Sequence, residues 1–182
     1  MTAAAVRPPL LLAGLAGATL IRVGLGAQQL SGVLPFIAIL LALVATAGMR
    51  RPDLRLRPIG MGLAGAAVLI AFPVLHGGPL LVHPESTFPL WMTLITAGSL
   101  AEEMFFRGAL FSAVESHAGT LAAVTVSSVA FALLHVPLYG WGAVPLDLAV
   151  GVWLGGLRAV SGSVTAPAIA HVMADIATWW VP

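Results

Sequence analysis

The sequence contains no cysteine and no lysine, and only 8% of its 182 residues are charged. The absence of cysteine excludes disulfide bonds, thiolate metal ligands and a cysteine nucleophile. Soluble globular proteins carry roughly 25% charged residues, so the chain lies outside that class. Its few charges also do not form the basic surface that a nucleic-acid-binding protein needs. A hydrophobic content of 59% indicates an integral membrane protein instead.

Apolar runs divide the chain into about seven candidate membrane spans, and six or eight spans also fit the pattern. About 20 apolar residues cross the bilayer core as an α-helix. The runs cover residues 10–28, 33–49, 59–75, 90–114, 120–136, 143–160 and 164–181. Short stretches such as His76-Gly77-Gly78-Pro79, Val136-Pro137 and Ser161-Gly162-Ser163 separate them. We therefore predict an all-α, polytopic transmembrane helix bundle that forms one domain over residues 1–182.

The arginines and tryptophans predict how the bundle lies in the membrane. The second connection holds a cluster of arginines: Arg50, Arg51, Arg55 and Arg57. The positive-inside rule places this loop, and with seven spans the N-terminus, in the cytoplasm. Four tryptophans then fall at the outer interface, where indole prefers to lie: Trp91, Trp141, Trp179 and Trp180. Trp153 does not fit this belt. We expect a multi-pass protein of a bacterial plasma membrane, with the first run retained as a span rather than cleaved as a signal.

The fourth apolar run is interrupted by three charges in Glu102-Glu103-x-x-x-Arg107. A charged residue at the centre of a membrane helix costs roughly 2.5–3.5 kcal/mol, so three of them cost about 8–10 kcal/mol. Glu103 and Arg107 are four residues apart with the glutamate first, which favours an ion pair on one helix face. Glu102 lies about 100° away round the helix. It is the unpaired carboxylate and the first candidate for chemistry, the alternative being a role in helix packing.

Two later runs each contain a polar residue with a partner at the same four-residue spacing. The fifth run has Phe131 and His135, and the seventh has His171 and Asp175. His135 has the alternative of a helix-end histidine bound to backbone, and the last pair that of an interhelical clasp. Asp147 is interpreted as an interface or helix-start acid. The remaining histidines are assigned to solvent or the interface: His76, His83 and His117.

Two chemistries fit these residues, and both end in amide hydrolysis. In the first, Glu102 and His135 deprotonate a water while His171 and Asp175 stabilise the oxyanion. In the second, Glu102, His135 and His171 bind Zn²⁺ with one open position, and the metal activates the water. The helical zinc signature His-Glu-x-x-His is absent. The residues alone leave both chemistries open.

The three ordered motifs resemble those of the CPBP family over roughly residues 91–181. That family includes the eukaryotic CAAX prenyl endopeptidases and bacterial relatives linked to bacteriocin immunity. The resemblance implies an intramembrane endopeptidase built around a polar cavity. By motif position, Glu102 and His135 would activate the water, and His171 with Asp175 would form the oxyanion site. The family's supporting positions would be Glu103, Arg107 and Phe131. The family has been described both as metalloproteases and as glutamate proteases.

One departure from the family concerns Asp175, because that position is often asparagine. An amide donates a hydrogen bond to an oxyanion, whereas an ionised carboxylate cannot. Asp175 must therefore be protonated or must orient His171. We expect a peptide or membrane-protein substrate, which in a bacterium would not be a prenylated CAAX protein. The alternatives are a non-catalytic binding or immunity module that uses the same pocket, and an ion-coupled carrier.

Glycines recur at helical spacing in two of the apolar runs. They form Gly60-x-Gly62-x-x-Gly65 in the third run and Gly151-x-x-x-Gly155 in the sixth. Small residues at this spacing let two membrane helices approach closely. We therefore predict helix contacts at these glycines and not a nucleotide-binding loop.

Overall fold

The computed structural model describes residues 7–47, 52–76 and 85–180, which form helices and no strand. The α-helices are α1 (Pro8–Gly24), α2 (Leu30–Ala47), α3 (Leu56–His76), α4 (Phe88–Glu103), α5 (Phe111–Tyr139), α6 (Val144–Ser161) and α7 (Thr165–Ala177). Four helical stretches are long and apolar enough to cross a membrane: Leu30–Ala47, Leu56–Leu75, Phe88–Tyr139 and Trp141–Ser161. The predicted all-α transmembrane bundle is confirmed.

The predicted fourth and fifth spans lie in one continuous helical stretch of 52 residues. A π-helical turn, Met104–Leu110, joins α4 to α5. Within α5, Gly119 has φ +83° and ψ 173°, which is not helical. Only glycine adopts this conformation readily, because it has no Cβ. Gly119 therefore separates the two predicted spans without a loop.

The expectation that Val136-Pro137 ends the fifth span is wrong, because α5 continues to Tyr139 with Pro137 inside it. Proline removes only one backbone donor, and near the end of a helix its effect on the remaining hydrogen bonds is small. The helix ends where Gly140 adopts φ +81°. His135 consequently lies one full turn before the end of its helix, with Tyr139 on the same face.

The seventh helix is shorter than the predicted span. It begins after the turn around Gly162, which has φ +71°, and it ends at Ala177. Thirteen residues of α-helix extend about 20 Å, which is less than the ~30 Å hydrocarbon core. Residues 178–180 form a turn. The predicted end of this span at residue 181 lies outside the described residues.

Two groups of buried apolar residues hold the helices together. The larger one gathers side chains of α1, α2, α4, α5 and the π-helical turn, and includes Phe36, Phe105, Phe106 and Phe131. The smaller one joins α3, α6 and α7 through Ala66, Leu154 and Ala170. The π-helical turn belongs to the larger group, so the charged motif lies at the centre of the bundle.

The aromatic side chains explain why Trp153 stands apart from the predicted belt. Trp91 and Trp179 pack together with ring centroids 4.8 Å apart, and Phe88 contacts Trp179 at 5.2 Å. Trp153 instead donates through Nε1 to the carbonyl oxygen of Gly65 at 3.3 Å, which joins α6 to α3. The orientation of the bundle stays a prediction, and Arg50 and Arg51 lie outside the described residues.

The predicted glycine contacts are present at four of the five positions. A Cβ at Gly62 would lie 2.8 Å from the carbonyl oxygen of Ala166, and Gly65 is as close to Leu157 on α6. Gly151 and Gly155 face α5, and a Cβ at Gly151 would lie 3.0 Å from the Cα of a residue there. Gly60 has nothing within 4 Å of its Cβ position. Glycine is therefore needed most at Gly62 and Gly151, where an added Cβ would meet backbone atoms, whereas Gly65 and Gly155 face side chains that can shift.

Gly62→Ala is expected to destabilise the protein by about 1–3 kcal/mol, because an added methyl overpacks the contact between α3 and α7. Gly60→Ala, two residues away on the same helix, is the matched control and should be neutral or slightly stabilising. Chemical unfolding of both variants in detergent micelles measures the difference. Equal stability of the two variants would contradict the proposed role of Gly62 in helix packing.

Candidate active site

The predicted ion pair of Glu103 and Arg107 is present and completely buried. Arg107 Nη1 donates to Glu103 Oε1 at 2.6 Å, and neither side chain has exposed surface. Burying a charge costs several kcal/mol, so each charge needs its partner and further hydrogen bonds. Glu103 Oε2 and Arg107 Nε nevertheless have no hydrogen-bond partner among the described residues. The two charges thus neutralise each other, although one oxygen of Glu103 and one nitrogen of Arg107 lack a hydrogen bond in this part of the structure.

The surroundings of Arg107 tie three helical segments together. Arg107 lies in the π-helical turn, a widened geometry that is frequent at functional sites. Its Nη2 donates to the carbonyl oxygen of Gly151 at 3.1 Å, and its guanidinium lies 4.7 Å from the centre of the Phe131 ring. Arg158 Nε donates to the carbonyl oxygen of Arg107 at 2.9 Å. Phe131, predicted as a supporting residue, therefore contacts the guanidinium directly.

His171 on α7 extends the ion pair into a chain of three groups. Its Nδ1 donates to Glu103 Oε1 at 2.9 Å, because an ionised carboxylate can only accept. Its Nε2 lies 3.3 Å from Asp175 Oδ2. The imidazole is buried, and it bridges the carboxylates of Glu103 on α4 and Asp175 on α7. Both of its ring nitrogens are occupied in this arrangement.

Asp175 also contacts Ser99 on α4. The Ser99 hydroxyl donates to Asp175 Oδ2 at 2.5 Å, and its oxygen lies 2.7 Å from the carbonyl oxygen of Ile95. A hydroxyl has one proton, so it satisfies one of these two acceptors at a time. If Asp175 is protonated, it donates to the Ser99 oxygen, and the hydroxyl proton is then available to the carbonyl oxygen of Ile95. The contact with His171 matches the predicted orienting role, and the oxyanion role of Asp175 stays a prediction.

Glu102 lies next to this chain of groups but does not join it. It is 8% exposed and makes no hydrogen bond with any residue that the structure describes. The nearest cation is Arg22, whose Nη1 lies 4.0 Å from Glu102 Oε1, beyond hydrogen-bond distance. The groups close enough to act on its charge are His135, His171, Asp175 and Arg22. Glu102 thus has only a long ion pair with Arg22, and its oxygens keep their capacity to accept hydrogen bonds.

His135 presents one free ring nitrogen to the same region. Its Nδ1 donates to the carbonyl oxygen of Phe131 at 2.8 Å. In the neutral imidazole this leaves Nε2 as an acceptor, and Nε2 has no partner in the described part of the chain. The ring stacks on Tyr139 with centroids 5.8 Å apart and an interplanar angle of 12°. The predicted backbone hydrogen bond and a free acceptor are therefore both present.

Sequence reasoning missed the roles of Ser99 and Tyr139 and left that of Arg22 undetermined. Ser99 is four residues before Glu103, so the helical period was a signal for it. Arg22 is a charge inside an apolar run, which predicts a position either near an end of the span or facing the bundle interior, and it lies in the last turn of α1. Tyr139 carried no such signal, because Pro137 suggested that the helix ended earlier.

Asp147 and His117 were assigned away from the site. Asp147 lies in the first turn of α6, as expected for a helix-start acid, but its Oδ2 is buried without a hydrogen-bond partner among the described residues. It is close enough to His135 and His171 to interact with their charges. His117 is exposed and contacts Ala113 through the backbone oxygen at 2.7 Å. His83 lies outside the described residues, and the same holds for the side chain of His76.

The predicted zinc ligands do not form a metal site in this arrangement. In residues 7–47, 52–76 and 85–180, no three His, Cys, Asp or Glu side chains are placed to hold a metal ion together. His171 would have to give up one of its carboxylate contacts to bind zinc through a ring nitrogen. Zinc binding stays a prediction, and we assign no chemical step to a metal.

An apolar groove of about 600 Å³ lies between α1 and α5. Its walls are formed by aliphatic side chains, among them Leu12, Leu20, Val129 and Leu133. None of the candidate site residues lines it. Leu20 is two residues before Arg22, and Leu134, also in the groove wall, directly precedes His135. The two helices that form the groove, α1 and α5, also carry Arg22 and His135.

Comparison with known proteins identifies one family. Residues 84–177 match the family described as type II CAAX prenyl endopeptidase Rce1-like. The match spans α4 to α7 and contains all three polar motifs. No curated protein and no solved structure matches the chain.

Arg107→Ala is expected to destabilise the protein by about 3–5 kcal/mol, because it leaves Glu103 buried without its counter-ion. The matched control is the exposed pair Asp53–Arg55, whose closest N–O distance is also 2.6 Å. Arg55→Ala should leave stability unchanged, because water and salt screen the exposed pair. Denaturant titrations in micelles compare the two variants. A similar loss of stability in both would show that burial is not what matters.

Proposed function

We propose that this chain, which belongs to the Rce1-like family of type II CAAX prenyl endopeptidases, hydrolyses a peptide bond with a water activated by Glu102 and His135. The family makes it a CAAX-type protease of the membrane. One observation carries the mechanism. Glu102 and His135 retain free acceptor atoms, whereas the charged groups beside them are bound to one another.

The two free acceptors can share one water. The carboxylate of Glu102 accepts one of its protons and His135 Nε2 accepts the other, since Nδ1 is held by the Phe131 carbonyl. As the water oxygen attacks the scissile carbonyl carbon, its proton passes to Glu102. Glu102 then delivers this proton to the leaving amine as the C–N bond breaks. General acid–base transfer of this kind contributes typically 10²–10⁴-fold to the rate.

His171 supplies the hydrogen-bond donor for the developing oxyanion. Glu103 fixes the ring through Nδ1, so in the doubly protonated imidazole Nε2–H has one direction and is shared between Asp175, 3.3 Å away, and the oxyanion. A donor that is oriented before the reaction needs no reorganisation in the transition state. Asp175 acts as a positioning residue in this mechanism and not as an oxyanion donor, which removes the difficulty of an acid at a position that is often asparagine.

The buried ion pair keeps the other groups in place. Glu103 holds His171, and Arg107 holds Glu103 while its guanidinium lies against Phe131. Phe131 in turn provides the carbonyl oxygen that orients His135. Glu103 therefore positions His171, and Phe131 positions His135. Neither of these two supporting residues contacts the substrate in this mechanism.

The substrate in this proposal is a peptide segment within or near the bilayer. The site lies inside apolar helices, and the helices that carry Arg22 and His135 also form the apolar groove. Apolar side chains of such a segment can fill this groove, because its walls are mainly aliphatic. We assign the protein to the plasma membrane, with a peptide or membrane protein as substrate and no nucleic-acid partner.

Glu102→Gln is expected to reduce cleavage at least 10²-fold while the protein stays folded, because an amide cannot take the proton of the water. Glu115→Gln is the matched control, since Glu115 lies outside the site and binds Thr120. The measurement compares the termini of membrane proteins and secreted peptides in cells with wild-type or variant protein at equal abundance. His135→Ala and His171→Ala should also abolish the wild-type-specific termini.

Two outcomes would contradict this assignment. Termini that persist with Glu102→Gln would remove Glu102 from the mechanism. Identical termini with wild type, variants and empty cells, over several growth conditions, would favour a non-catalytic binding or immunity protein, and the same variants would then be tested for partner capture.

Treatment of the purified protein with 1,10-phenanthroline is expected to leave peptide cleavage unchanged, because the described donor set does not form a zinc site. Elemental analysis of the same preparation should find zinc well below one ion per chain. Loss of activity that returns on adding Zn²⁺ alone would overturn the metal-independent mechanism. A known zinc protease treated in parallel confirms that the chelator acts in the detergent used.

A further inference from the structure

Arg22 is a cation at the candidate site that belongs to none of the three polar motifs. It comes from α1, outside the region that matches the family. Its Nε donates to the carbonyl oxygen of Ala27 at 3.0 Å, and its guanidinium lies 4.8 Å from the centre of the Phe36 ring. Arg22 is therefore held in place by the turn after α1 and by α2.

The hydrogen-bonding capacity of Arg22 is mostly unused. A guanidinium has five N–H groups, and the hydrogen bond to Ala27 uses one of them. The carboxylate of Glu102 lies 4.0 Å from Nη1 and so accepts no hydrogen bond from it. The Arg22 side chain keeps 12% of its surface exposed. Arg22 thus forms a long ion pair with Glu102 and keeps N–H groups that can bind a further acceptor.

One further polar side chain, Tyr139, lies in the same part of the site and contacts Gln28. It is close enough to Arg22 and Glu102 to interact with their charges. Tyr139 is also stacked on His135. A guanidinium, an amide and a phenol together offer hydrogen bonds to one anionic group. Arg107 does not compete for such a group, because Glu103 neutralises it.

We propose that Arg22, with Tyr139 and Gln28, binds a carboxylate of the substrate beside the scissile bond. This inference rests on the proposed proteolytic function, because it names a specificity subsite of the same active site. A planar guanidinium matches a carboxylate with two parallel hydrogen bonds, and carboxylates are the anions that an unmodified peptide carries. Without this cation, Glu102 and Asp175 would repel an acidic substrate. The carboxylate belongs either to the C-terminus of the substrate or to an acidic side chain.

The test uses the full chain in lipid vesicles and a peptide whose sequence is taken from a wild-type-specific cleavage. Three versions of this peptide are compared: the unchanged peptide, its C-terminal amide, and a version with Gln and Asn for its Glu and Asp residues. For the wild type, kcat/KM should fall roughly 10- to 100-fold on the version that lacks the recognised carboxylate, the usual value of a charge-assisted contact. Which version loses activity identifies the source of the carboxylate.

Arg22→Gln should remove this discrimination. Its kcat/KM on the unchanged peptide should match that of the wild type on the version without the carboxylate, mainly through a higher KM. Arg7→Gln is the matched control, because Arg7 precedes the opposite end of α1. If Arg22→Gln does not accumulate to the wild-type level, Arg22→Lys is used, and partial discrimination is expected because lysine keeps the charge but not the paired donors.

The outcomes separate this inference from the proposed function. If the wild type cleaves all three versions equally, or if Arg22→Gln loses the same factor on each version, the carboxylate subsite is overturned while the proteolytic function stands. If no wild-type-specific cleavage exists, the proposed function fails, and the subsite fails with it.

Discussion

The ion pair of Glu103 and Arg107 is the constraint on which the rest of the structure depends. Two charges without exposed surface in an apolar bundle are tolerated only when each finds a partner. The carbonyl oxygen of Gly151 reaches Arg107 because α6 approaches α5 closely, and a side chain at Gly151 would prevent that approach. The helix spacing and the charged motif are therefore parts of one arrangement.

The site separates charges that hold the structure from charges that remain for chemistry. Glu103 is bound by Arg107 and His171, and His171 also contacts Asp175. Adjacent in sequence, Glu102 points to another side of the helix and keeps its acceptors. A single α-helical step of about 100° thus gives two identical side chains different roles. This difference in roles explains why the motif contains two adjacent glutamates, Glu102 and Glu103.

Much of this arrangement was predictable from residue type and spacing. The apolar runs indicated the helices, and the four-residue spacing indicated the Glu103–Arg107 pair and the contact of His171 with Asp175. Spacing within one helix says nothing about contacts between helices, so the bond from His171 to Glu103 could not be derived. The end of α5 was misplaced because Pro137 was expected to break the helix, although proline near a helix end removes only one donor.

The first two helices contribute more to the site than their lack of family motifs suggests. The family match begins at residue 84, so α1 and α2 lie outside it. Yet Arg22 is oriented by Ala27 and by Phe36 of α2, and α1 forms one wall of the apolar groove. In the proposed function the motif-bearing helices position the groups for hydrolysis, whereas α1 adds a charge next to Glu102 and one wall of the apolar groove. Substrate preference can therefore vary with α1 and α2 while the residues that activate water stay the same.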